Sequence, residues 1–72
     1  MTLRDETGER ARTADTMRNT AQQLEEAEAT LHRSARRSPD AATGQRLDRL
    51  GDAVTAEAQA IDEGADRITG AT

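Results

Sequence analysis

The chain has 72 residues, with 14 acidic and 10 basic groups, one His, no Cys and no aromatic residue. That length allows at most one small domain, and the missing cysteines exclude disulfides, a thiolate nucleophile and a cysteine metal site. Of the hydrophobic residues 14 are Ala, while Ala, Glu, Leu and Arg together make up 36 of the 72, the composition of long helices or coiled coils.

All ten basic residues are Arg, and the net charge is −4. That balance argues against non-specific binding of DNA or of an anionic membrane by the whole molecule. No apolar run reaches the roughly 18 residues that span a bilayer. The opening Met1-Thr2-Leu3-Arg4-Asp5-Glu6 lacks the apolar centre of a secretory signal. The expectation is a cytoplasmic protein without a membrane partner.

In chain order, Thr2-x-x-Asp5 fits a capping box at the start of a first helix. Leu3, Arg10, Met17, Leu24 and Leu31 then recur every seventh residue. Four positions after each come Thr7, Ala14, Ala21, Glu28 and Ala35. This heptad alternation of large and small predicts a helix over about residues 3–37. Gly8 should weaken its first two turns.

The one Pro lies in Ser38-Pro39-Asp40-Ala41-Ala42-Thr43-Gly44, the breaker-rich stretch of the interior. Ser38 suits a helix cap, Pro39 a first helical position and Asp40 the positive end of a helix dipole. Gly44 instead suits the close of a loop, so a second helix starts somewhere from 39 to 45. The boundaries expected here are a loop over about 38–44 and a helix over about 45–69. In that helix the large heptad positions are Leu47, Val54, Ile61 and Ile68, followed by Gly51, Ala58, Ala65 and Thr72. Leu50 widens the apolar stripe, and Gly70 reads as a C-terminal stop. Strand-like alternation is absent. The fold class is all-α: one domain over 1–72, an antiparallel two-helix hairpin with a coiled-coil-like seam.

A weak internal repeat aligns Ala21-Gln22-Gln23-Leu24-Glu25-Glu26-Ala27 with Ala58-Gln59-Ala60-Ile61-Asp62-Glu63-Gly64. Shared heptad constraints account for much of it; a duplicated helix is the alternative. Folding the chain back at residue 41 sets Ala35 against Leu47, Leu31 against Gly51 and Leu24 against Ala58. The same register sets Ala21 against Ile61, Met17 against Ala65 and Ala14 against Ile68. Large faces small throughout except at Glu28, opposite Val54, and such pairs let helices approach closely. A tighter register would pair large with large; the first is preferred.

Nine large aliphatic side chains besides Met1 are few for two long helices. A lone hairpin also leaves one side of its stripe uncovered, so a homodimeric four-helix bundle is expected. Residues 32–49 carry five Arg (Arg33, Arg36, Arg37, Arg46, Arg49) and two acids, and the rest five Arg and twelve acids. A basic tip and an acidic shaft favour antiparallel pairing of two hairpins, more through encounter than affinity.

Few residues carry chemistry. Glu28 and His32 are spaced as a helical i,i+4 pair rather than as the Glu-x-x-His of carboxylate metal bundles, so no metal site and no cofactor is expected. The His has no evident orienting partner, and the acid pairs at 25/26 and 62/63 diverge on a helix. No catalytic residue is assigned, and an enzyme is not expected. Glu28 breaks the small-residue rule, either as an edge group reaching toward Arg46, Arg49 or His32, or as a polar device fixing register or partner. The cluster Arg33, Arg36, Arg37 suits either a phosphate or the negative end of its own helix. Without aromatic side chains there is no stacking platform for single-stranded nucleic acid.

The leading functional expectation is a non-enzymatic protein–protein interaction or regulatory module, acting on an unidentified protein partner. Its candidate interaction residues are Glu28 and the five tip arginines. Its seam comprises Met17, Ala21, Leu24, Leu31, Leu47, Gly51, Val54, Ala58, Ile61, Ala65 and Ile68. Glu26-x-x-x-Thr30-x-x-Arg33 resembles the start of the motif with which anti-sigma or ligand-sensing hairpins clasp cyclic dinucleotides. Arg37 and Ala41 stand where that motif continues with Gln and Asp. In outline the hairpin is similar to secreted type VII substrates, without their Trp-x-Gly turn or aromatic export signal. It is similar also to the plasmid copy-number hairpin that binds paired RNA loops as a four-helix dimer, a likeness of fold alone.

Overall fold

A computed structural model describes residues 3–70, with side chains from Gly8 onward. Thr2 and Thr72, and the side chains of Leu3, Asp5 and Thr7, lie outside what it describes, so the expected capping box and these heptad positions do too. Two helices pack against one another as a hairpin: α1 (Leu3–Arg37) and α2 (Ala41–Thr69). The result is a rod of 58 × 16 × 15 Å. Among the described residues, no helix is long and apolar enough to cross a membrane.

The turn differs from the expected one. It occupies only Ser38, Pro39 and Asp40, and α2 begins at Ala41 rather than near 45. Asp40, not Ser38, is the cap: its backbone is extended (φ −107°, ψ 118°) and its carboxylate accepts from the Thr43 N–H at 3.1 Å and the Thr43 hydroxyl at 2.6 Å. A carboxylate there satisfies donors that have no partner within the helix and complements the helix dipole. Those bonds lower the Asp40 pKa from its ordinary carboxylate value, the Thr43 hydroxyl contributing most and its N–H next. Ser38 instead steadies the bend, its Oγ accepting from the Asp40 N–H at 3.4 Å and donating to the Asp40 carbonyl at 3.1 Å.

Gly44, read from sequence as a loop closer, lies inside the first turn of α2. Its role is spacing: a Cβ at this position would stand 3.1 Å from the Ala35 carbonyl oxygen. The missing side chain lets α2 start hard against the last turn of α1. At the far end Gly70 takes the left-handed conformation (φ 71°, ψ 24°), and its N–H reaches the Asp66 carbonyl, a C-terminal stop of the kind a glycine serves best.

Small residues form the seam. Ala14, Ala21, Gly51, Ala58 and Ala65 are buried, the alanines to 1% exposure or less. Seven larger side chains, Met17, Leu24, Leu31, Leu47, Val54, Ile61 and Ile68, are only half-buried. Close approaches follow the register that opposes large and small. A Cβ on Gly51 would meet the His32 ring at 2.8 Å, and one on Gly64 would meet Met17 Cε at 2.9 Å. They flank the expected partners Leu31 and Ala65. Arg18 reaches Asp66 at 3.2 Å, whereas the tighter register would set it against Ala60.

Candidate interaction surface

Alanine and glycine at the seam draw the helices together but leave little room between them. Leu, Val and Ile side chains therefore splay along the flanks, covering the seam while their outer edges stay in water. Among the described residues no large side chain is fully buried. Leu50, expected to widen the buried stripe, points away from it and is 51% exposed. It lies one turn from Leu47 and Val54, both half-buried, so α2 carries a continuous aliphatic strip over these three residues.

The tip holds the basic residues on exposed positions. Arg33 and Arg46 are each bonded to their own helix, donating to Thr30 Oγ1 at 3.1 Å and Thr43 Oγ1 at 3.2 Å. Thr30 and Arg33, two of the three side chains shared with the dinucleotide-clasping motif, are thus bonded to one another. Arg36 and Arg37 close the last turn of α1, where a positive charge meets the negative end of the helix dipole. Arg49 is exposed.

Glu28 lies on the α1 flank with its side chain 27% exposed. Of the three partners open to it, it takes His32: Oε1 stands 3.2 Å from Nε2. His32 does more than the sequence suggests. Its Nδ1 lies 2.8 Å from Asp48 Oδ1, across the seam on α2, so the ring does have an orienting partner. Asp52 Oδ1 lies 3.7 Å from Nε2. The ring rests on Gly51, between carboxylates one turn before and one residue after that glycine. The hydrogen bond to Asp48 pushes His32 above the usual histidine value; desolvation opposes it, and the charges of Glu28, Asp48 and Asp52 add to the rise.

Sequence reasoning missed this link because it set only Gly51 and Val54 opposite His32, not the acids beside that glycine. A signal was present: a His next to a seam Leu faces the small residue opposite, and Asp48 and Asp52 bracket Gly51. Among the described residues, no group of three or more His, Asp or Glu is arranged to hold a metal ion. At the open end a shallow groove runs past Glu9, Arg10, Thr13, Arg67 and Ile68. Arg10, at a large heptad position, is exposed there, where the helix ends give it access to water. No protein-family model matches the chain, and neither a curated protein nor a solved structure matches it.

Proposed function

We propose that the chain is a non-enzymatic protein–protein interaction or regulatory module that works as a homodimeric four-helix bundle. One observation carries this reading: the residues buried within the hairpin are alanines and a glycine, while every described large aliphatic side chain keeps part of its surface in water. A second hairpin laid along the Leu47, Leu50 and Val54 strip would cover that surface, and burial returns roughly 25 cal/mol for each Å² removed from water. Antiparallel pairing places each basic tip beside the other's acidic shaft, which favours encounter.

Sedimentation velocity across a concentration series from 1 to 200 μM (~ values spanning typical dimer affinities) tests the reading. The expected species has about twice the 7.8 kDa chain mass, and Leu50→Glu should return it to a monomer. A fully helical monomer at every concentration would overturn it. A monomer that is captured by one defined partner would keep the interaction role and remove the homodimer.

A further inference from the structure

His32 stands where two helices meet, and each ring nitrogen faces a different carboxylate. Nδ1 is 2.8 Å from Asp48 on α2, and Nε2 is 3.2 Å from Glu28 on α1 with Asp52 of α2 at 3.7 Å. A neutral imidazole has one N–H and one lone pair. Whichever tautomer it adopts, one nitrogen then points a lone pair at a carboxylate. Only the imidazolium donates in both directions. We propose that His32 is a proton-operated latch: protonated, it ties α1 to α2 over Gly51; deprotonated, it loosens the tip half of the hairpin and so alters the aliphatic strip beside it.

The carboxylates of α2 are exposed (Asp48 56%, Asp52 78%), but the ring between them is only 25% exposed and is wedged against the seam. The ring occupies the space a side chain at position 51 would need: a Cβ there would stand 2.8 Å from Nε2. Asp48 and Asp52 sit on either side of that glycine, so the 2.8 Å bond to Asp48 and the longer ion pair to Asp52 both cross the seam there. The seam next to them offers little else: Leu31, Leu47 and Val54 are half-buried, and small residues contribute little area. The charged groups facing the ring are Glu28 from α1 and Asp48 and Asp52 from α2. Arg36 lies one turn further along α1, and Arg49 follows Asp48; among the described residues neither forms an ion pair with these acids.

The sign of the pH effect follows from the protonated form being the one that donates from both nitrogens and carries the charge its carboxylates attract. A His whose folded value lies above its unfolded value of about 6.5 contributes stability that is complete below that pH. The contribution is lost as pH rises through the higher folded value. The latch is closed in mildly acidic solution and opens as pH rises through the raised folded value.

The chain has a single His, so its ring Cε1–H resonance can be followed by NMR without ambiguity. The expected midpoint lies above 6.5 (~ the ordinary value) and falls toward it in Asp48→Asn. Thermal unfolding of the full chain should show a Tm that drops between pH 6 and pH 8.5 (~ a bracket around that value), with the drop largely removed in His32→Gln. Hydrogen exchange, corrected for its intrinsic pH dependence, should quicken selectively around Leu47–Val54 as pH rises. A wild-type midpoint at or below the ordinary value would overturn the latch, and so would equal pH slopes in wild type and His32→Gln. Should His32→Gln fail to fold, the Asp48→Asn titration and the wild-type exchange data decide alone: an unmoved midpoint or uniform exchange sinks the proposal.

Discussion

A methyl group on Gly51 would come within 2.8 Å of His32 Nε2; the glycine is the floor on which the imidazole rests. Alanine normally adds about 0.8–1 kcal/mol over glycine inside a helix. Here Gly51→Ala must displace a ring held from both helices, so the helical gain is offset or reversed. Gly64→Ala meets only the terminal methyl of half-buried Met17 at 2.9 Å, which swings aside easily. Denaturant unfolding should show Gly64→Ala stabilised by about 0.5–1 kcal/mol and Gly51→Ala not stabilised at all. Equal gains at both positions would mean that the ring is not fixed where it lies.

Ala58 is 1% exposed and Ala56 lies on the outer face of the same helix. Ala58→Leu should push the helices apart and lose about 1–3 kcal/mol. Ala56→Leu should change stability by less than about 0.5 kcal/mol. Urea melts of the two variants check this, and matching losses would place the buried face elsewhere.

Asp40 is ionised in its cap, and the bonds from Thr43 favour that charge. A carboxyl group whose folded value lies below its unfolded value stabilises the fold above the unfolded value of about 3.9. It loses that contribution as pH falls through the folded value. Wild type should therefore soften in strong acid, whereas Asp40→Asn, which keeps a capping oxygen without the charge, should show a shallower acid limb. Asp40→Ala should lower Tm at neutral pH, because the first turn of α2 loses its acceptor. Circular dichroism melts from pH 2 to pH 7 (~ a range bracketing the carboxylates) measure both effects.

Glu28→Ala restores a small residue to the heptad and removes one of the two carboxylates near Nε2. A partly exposed i,i+4 pair of this kind is worth about 0–1 kcal/mol, and alanine is the better helix former. At pH 8 the variant should match wild type or exceed it slightly, and near pH 6 any advantage should shrink, since the imidazolium then has a partner to lose. A destabilisation of several kcal/mol at pH 8 would mean that Glu28 is engaged more deeply than a flanking ion pair.

The heptad spacing of Leu24, Leu31, Val54 and Ile61 already implied two helices, because a period near 3.5 residues has no other simple reading. Ala58 and Ala65 were legible as seam residues for the same reason. The turn was harder. Ser38, Asp40 and Gly44 each carry a plausible boundary chemistry, and only the packing of α2 against the Ala35 carbonyl distinguishes a spacing glycine from a loop glycine. His32 was harder still, since its partner Asp48 is on the other helix, and a contact across the seam depends on register as well as on pattern. Leu50 followed the apolar pattern and yet faces water, because a stripe lined by alanine is too narrow for a second leucine.

The three-residue turn also governs how the two halves find each other. Joined over so short a span, α1 and α2 behave as reactants at millimolar effective concentration or above, although the contacts between them are chiefly alanine. The same helices as separate peptides would have to associate from bulk solution with no large buried side chain to anchor them. Cleavage at Pro39 should thus disperse the pieces into largely unfolded chains. A single protease cut at the tip would act as an irreversible off-switch for every surface the rod presents.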